Sequence, residues 1–441
     1  MRLTSPGLDA RWGYGAVPVN FVTTLKSLGP RYTALWVGQT ISQFGTYVAW
    51  LTLPFLVAYI QGIDLSALDF SLAYALETAP TILVGLIGGV LLDRWHLRPV
   101  MIATDLVRAG AFFYLAANLD SYGTFTVFVV AFLIGSMTTF FDSALYALIP
   151  SIVPEERLVD GNGLVAASQQ ANFALGPLAA GLFAAATGGP ALGLFINGAT
   201  FVLSAISLYW VGRVAHPGLD EDSQSSFLHE TANGLRYIWS EPRLRVTTIA
   251  VAIPNFVTGF IEATIVVLAY TVFGVGSDAQ VGIVVASMGV GGVIGALVAP
   301  GIAVRLGVGK TMTVGMGILG VGMVAWMYTE FGVFTLTLSA CWMFGLSMVN
   351  VPLATIRQHY SAPAMIGRVI SASRAIGWAT LPIGALIGGW LGNNANHYPI
   401  VARSFPLLLV PTALWLMTTV VWRDTYGPAQ TPPDAALGSA E

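Results

Sequence analysis

Twelve apolar stretches follow one another along the chain, separated by short polar breaks. They run roughly 32–60, 68–92, 99–119, 122–150, 158–187, 189–212, 246–273, 279–304, 311–330, 332–357, 365–392 and 399–422. A helix rising 1.5 Å per residue needs about 20 apolar residues to cross the hydrocarbon layer of a bilayer, and every stretch is that long. The widest hydrophilic gap, 213–245, falls between the sixth and seventh. It opens on His216-Pro217-Gly218-Leu219-Asp220-Glu221-Asp222-Ser223 and continues into a segment of mixed polarity from Phe227 to Trp239. The pattern predicts an all-α membrane protein of twelve transmembrane helices in two pseudo-symmetric six-helix bundles. The bundles span 32–212 and 246–423, and the linker 213–245 carries a short surface helix. Residues 1–31 read as a short leader without the apolar core of a secretory signal. Residues 424–441, rich in Pro and Ala, read as a disordered tail.

A repeated loop supports the duplication. Gly89-Val90-Leu91-Leu92-Asp93-Arg94-Trp95-His96-Leu97-Arg98 follows the second apolar stretch, and Gly301-Ile302-Ala303-Val304-Arg305-Leu306-Gly307-Val308-Gly309-Lys310 follows the eighth. In both, a glycine precedes the last cation by the same interval. Charge at corresponding loops of two halves is the architecture of secondary transporters.

Composition agrees. Charged residues are 9% of the chain and hydrophobic ones 55%, against roughly 25% charged in soluble domains. So much apolar surface requires lipid as solvent. A net charge of -3 with scattered cations argues against nucleic-acid binding. The single cysteine, Cys341, excludes an internal disulfide and a cysteine metal cluster. His96, His216, His229, His359 and His397 show no ligand spacing, so neither metal nor cofactor is expected. There is no Gly-x-x-x-x-Gly-Lys-Ser/Thr loop of a primary pump. No nucleophile–base pair suggests an enzyme.

The basic residues fix the expected orientation. Of the 19 Lys and Arg, all but Arg403 fall on one side when the spans alternate. By the positive-inside rule that side, with both termini, is cytoplasmic.

Charges within the spans are the first place to look for function. Glu77 lies about 24 Å from the inner end of its span, and Glu262 stands at a similar depth. Asp142 lies about 12 Å, and Arg374 about 9 Å, from the inner side. Arg374 either pairs with Asp142 or snorkels inward; the sequence leaves both open. Asp105 and Arg108 share a face at i, i+3 and read as a structural pair. Gln39 and Gln43 share a face of span 1, and Asn255 shares one with Glu262 in span 7. With Arg374 they are candidate cargo contacts, although hydrogen bonds between helices would use the same side chains.

The sequence resembles the major facilitator superfamily over nearly its whole length. Gly89, Asp93, Arg94 and Arg98 match that family's signature in the loop between spans 2 and 3. His96 stands at a usual glycine and Leu97 at a frequent basic position. Val153-Pro154-Glu155-Glu156-Arg157-Leu158, Asn162-Gly163-Leu164, Asn197-Gly198-Ala199-Thr200-Phe201 and Gly367-Arg368-Val369-Ile370-Ser371 resemble the branch containing siderophore and macrolide exporters. Gly176-Pro177-Leu178-Ala179-Ala180-Gly181 is similar to the antiporter motif of exporting members, with Ala180 and Asn172 at usual glycines.

The resemblance implies a gating role for Gly89, Asp93, Arg94 and Arg98, with Asp93 latched to the N-terminus of span 11, and for Gly176, Pro177 and Gly181. Pro177 removes a backbone donor and bends its helix. The resemblance also implies that span 7 lines the central path, which puts Glu262 ahead of Glu77 and Asp142 as the proton-coupling site. The expectation is a monomeric multi-pass protein of the plasma membrane. It would export small amphipathic molecules by proton antiport with alternating access. A lipid or lysolipid flippase and a non-transporting sensor are the alternatives.

Overall fold

In the computed structural model the described residues are 21–62, 66–81, 95–154, 157–212, 227–362, 365–393 and 397–423. They contain helices and no strand. The first half holds α1 (Phe21–Gln61), α2 (Ala67–Thr78), α3 (Leu97–Ala117), α4 (Thr124–Ile152), α5 (Leu158–Thr187) and α6 (Ala191–Val211). After α7 (Phe227–Ser240), the second half holds α8 (Pro242–Ala263), α9 (Ile265–Thr271), α10 (Asp278–Leu306), α11 (Val308–Trp326), α12 (Val333–His359) and α13 (Ile366–Leu391). It closes with α14 (Tyr398–Ser404) and α15 (Leu409–Thr418). Ten of the described helices are long and apolar enough to cross a membrane. Of the other two expected spans, the second is described only in its first part, α2, since 82–94 lie outside the described residues. The fifth, α5, is 30 residues long but carries Asp160, Gln169, Gln170 and Asn172.

Local signals set the ends. Ser66 caps α2 by accepting from the Asp69 amide at 3.3 Å. Gly188 ends α5 at φ 69, a left-handed residue that glycine adopts without strain. Pro242 opens α8 behind Glu241, whose side chain accepts from the Arg243 amide. Gly29 and Pro30 break α1, so an initial turn precedes its membrane-crossing part.

The packing repeats between halves. In the first half α1 packs on α5, α2 on α4, and α3 on α4 and α6. In the second, α8 packs on α13, α10 on α12, and α11 on α12 and α15. The contacts across halves obey the same exchange: α5 meets α10, and α2 meets α13. This is the two-fold relation that the duplicated loops predict.

One pair departs from it. α1 packs closely on α6, whereas its counterpart α8 makes few contacts with the last span. That span is interrupted by a 3-10 turn at Phe405–Leu408. An apolar hollow of about 610 Å³ opens there, lined by Ile249, Ile253, Phe256, Thr380, Pro411 and Trp415.

Lipid tails are as apolar as leucine, so helices in a membrane associate through close packing rather than the hydrophobic effect. Glycine permits the approach. A Cβ on Gly181 of α5 would sit 2.5 Å from the Asp278 carbonyl oxygen and 2.9 Å from Gly282 Cα of α10. The halves are therefore in backbone contact where α5 ends and α10 begins.

Candidate functional site

Arg98, Arg305, Lys310 and Arg368, near helix ends, and Arg157, just before α5, mark one end of the bundle, the basic end. At the opposite end the halves are shut. Ser66 bonds Asn393 at 2.9 Å between the ends of α2 and α13, and Gly181 and Gly282 touch. Toward the basic end, α4 and α12 make at most a glancing contact.

Glu262 lies just beneath the closed end, where span 7 is discontinuous. α8 stops at Ala263 and α9 starts at Ile265, with Thr264 between them at φ -109 and ψ 19. Tyr398 of α14 holds the break by donating to Thr264, 2.8 Å from Oγ1, and Thr264 Oγ1 donates to the Phe260 carbonyl at 2.8 Å. Broken helices at mid-bundle are tolerated where the freed backbone is buried in protein or lines a cavity. The break leaves Glu262 on the last turn of α8, aimed at the other half. There the Tyr74 hydroxyl of α2 donates to Glu262 Oε2 at 2.8 Å.

Glu77, one turn beyond Tyr74 on α2, lines the same enclosed cavity. Trp50, Pro54, Phe70, Val127 and Ala131 are among the residues of its wall. Its volume, about 10 Å³, is at the lower limit of what one water molecule needs. Two carboxyls thus share a nearly dry space at the junction of the halves.

A second cluster sits nearer the basic end. Arg108 of α3 donates to Asp105 at 2.5 Å and to Thr138 Oγ1 at 3.3 Å. Its guanidinium lies over the rings of Phe141 and Phe201, 4.6 and 4.1 Å from their centroids. Both members of the pair are buried. Asp142 follows Phe141 on α4 and is exposed. Arg108 and Arg374 are within electrostatic reach of Asp142. Neither makes an ion pair with it within 4.0 Å among the described residues.

The remaining candidates divide by location. Gln39 is buried, and the Oε1 atoms of Gln39 and Gln43 are enclosed without hydrogen-bond partners. Asn255 donates to the Gly377 carbonyl of α13 at 2.8 Å, a bond within the second half. Asn172 donates to the Thr40 carbonyl at 2.9 Å. Gly176 packs on the Tyr47 backbone, and the Pro177 carbonyl faces Gly282 across the halves. Gly89, Asp93 and Arg94 lie outside the described residues. Arg98 donates to the Leu208 and Tyr209 carbonyls at 2.8 and 2.9 Å, tying the start of α3 to the end of α6.

Tyr74 and the break at Thr264 were not anticipated. One signal for Tyr74 was available: it precedes Glu77 by three residues, so the two share a helix face.

Two helical halves whose contacts repeat, with carboxyls enclosed at their junction, have the architecture of a secondary transporter. The chain belongs to the Major Facilitator Superfamily, which it matches over residues 35–385. It is 26% identical over 397 residues to the multidrug efflux pump Tap of Mycolicibacterium fortuitum, covering 87% of this chain and 94% of that one. It is 24% identical over 379 residues to macrolide efflux protein A of Streptococcus pyogenes, covering 83% and 91%. Among solved structures, a mutant form of the nucleoside transporter NupG superposes with a TM-score of 0.73 at 12% identity, covering 87% of this chain and 99% of that chain. A bacterial homologue of the lysosomal transporter Spinster gives 0.71 at 12%, covering 91% and 100%. These structures share the fold. The protein is thus a multi-pass membrane transporter for a small molecule, related at low identity to drug efflux pumps.

Proposed function

We propose that the chain exports small amphipathic molecules in exchange for protons, by alternating access, with its basic end in the cytoplasm. The observation that carries this reading is the Tyr74–Glu262 hydrogen bond, which joins the halves at the closed end. Charge in a nearly dry cavity is costly, so Glu262 gives up or takes a proton most readily when the halves part and water enters. Opening the far end breaks the Tyr74 contact and wets the acid in one movement. Proton exchange and conformational change are then the same event. Glu77, in the same cavity, is the second acid available to it.

The cargo assignment rests on the relatives named for multidrug and macrolide efflux and on the apolar, aromatic interior. Gln39 and Gln43 supply polar contacts from α1. The experiment is transport by purified protein in liposomes, with dyes and macrolides as probes. An imposed pH gradient should drive accumulation that collapses when a protonophore dissipates the gradient. Accumulation unaffected by the protonophore would refute proton coupling.

A further inference from the structure

Arg357 and Arg374 stand on neighbouring helices, α12 and α13, toward the basic end. Arg357 is 9% exposed, and its Nε is shut off from solvent without a hydrogen-bond partner. Arg374, about 12 Å along α13 from its start, is exposed. The two are within electrostatic reach of each other, and like charges repel. Among the described residues neither has a hydrogen-bond or ion-pair partner.

The structural guanidinium of Arg108 also leaves its Nε without a partner, but its other nitrogens are compensated. Arg108 has a carboxylate at 2.5 Å, a hydroxyl at 3.3 Å and two aromatic faces. A buried cation with no such compensation is a functional candidate by default. Among the described residues an opposite charge in reach of Arg374 is Asp142, on α4 of the other half, without an ion pair between them. Asp142 is shared with Arg108, and no acid pairs with Arg357 among the described residues, so among those residues the two guanidiniums are left short of negative charge.

We propose that Arg357 and Arg374 form an anion subsite on the cargo path, taking the carboxylate or phosphate group of an amphipathic monoanion. Guanidinium groups suit this because their planar donor forks match carboxylate and phosphate oxygens two at a time. Asp142 competes with the cargo for Arg374. With cargo present the arginines are neutralised within the second half. With cargo gone, Asp142 is the acid in reach among the described residues, and its attraction to Arg374 draws α4 toward α13 and the basic end shut. The proposal deepens the export reading by naming a charge class of substrate, and it rests on the open basic end of that reading.

Equilibrium binding to purified protein tests it without any gradient. The probes are dodecanoate, dodecyl phosphate and the uncharged dodecanol, with lysophosphatidic acid in phosphatidylcholine vesicles as the lipid-borne source. Wild type should bind the anions more tightly than dodecanol. Arg357→Gln and Arg374→Gln should each weaken anion binding on the order of tenfold or more and leave dodecanol binding unchanged, which also reports that the variants are folded. Asp142→Asn should tighten anion binding by removing the competitor. Preference for soluble dodecyl phosphate or for the vesicle lipid identifies the source, and either supports the subsite. Equal binding of anions and dodecanol by wild type overturns it, as does equal loss of both in the arginine variants. Failure of pH-driven transport alongside intact, arginine-dependent anion binding would refute the coupling reading and leave the subsite standing.

Discussion

The hydroxyl of Tyr74 donates to Glu262 Oε2 at 2.8 Å, across 188 positions of sequence and across the junction of the two halves. It joins a titratable group to the packing that keeps one end of the transporter closed.

Removing the hydroxyl while keeping the ring tests the bond's mechanical part. Hydrogen bonds between helices in membranes contribute about 0.6–1.5 kcal/mol. Tyr74→Phe should therefore shift the population roughly three- to tenfold away from the state closed at that end. Spin labels at Ser121 and Tyr328, on loops of the two halves at that end, would report it as a longer-distance population. An unchanged distance distribution would mean that the bond does not hold the end closed.

The α5–α10 contact makes a separate demand. Gly181→Leu places a side chain where 2.5 Å separates a Cβ from the Asp278 carbonyl. Overpacking of this kind costs about 1–3 kcal/mol and acts only when the end is shut. The variant should insert and fold but stay open at that end, with transport lost. Normal transport by Gly181→Leu would contradict the need for backbone contact there.

The buried pair Asp105–Arg108 should serve stability rather than transport. Arg108→Leu leaves Asp105 buried and uncompensated, a defect of about 3–5 kcal/mol, and should lower the melting temperature in detergent sharply. Asp105→Leu combined with Arg108→Leu should recover most of the loss. A double variant as unstable as the single one would show that the two do not act as a pair.

Orientation is tested by impermeant thiol labelling of intact cells after Cys341→Ala. Ser121→Cys should react from outside and Ser240→Cys should not. The reverse pattern would invert the proposed topology.

Much of this was legible in the sequence because the signals are local or periodic. The apolar runs mark ten spans found among the described residues. The repeated glycine-to-cation loop gave the duplication. The interval between Asp105 and Arg108 gave their ion pair, since i, i+3 residues meet on any helix. The partner of Glu262 was not legible, because Tyr74 reaches it only after the halves dock. Asn255 shares the helix face of Glu262, yet it bonds Gly377 in its own half, and periodicity cannot distinguish those destinations. The break at Thr264 has no proline to mark it; it is held by Tyr398, 134 positions away. In the sequence Arg357 is one more cation on the basic side, and only its burial sets it apart.

The central claim is that Glu262 couples the proton to the movement. Glu262→Gln keeps the shape and a hydrogen-bond acceptor for Tyr74 but cannot release a proton. In liposomes with an imposed pH gradient, the variant should fail to concentrate substrate while still exchanging it down its own gradient at a rate near wild type. Uphill accumulation by Glu262→Gln equal to that of wild type would contradict the account and pass the role to Glu77 or Asp142.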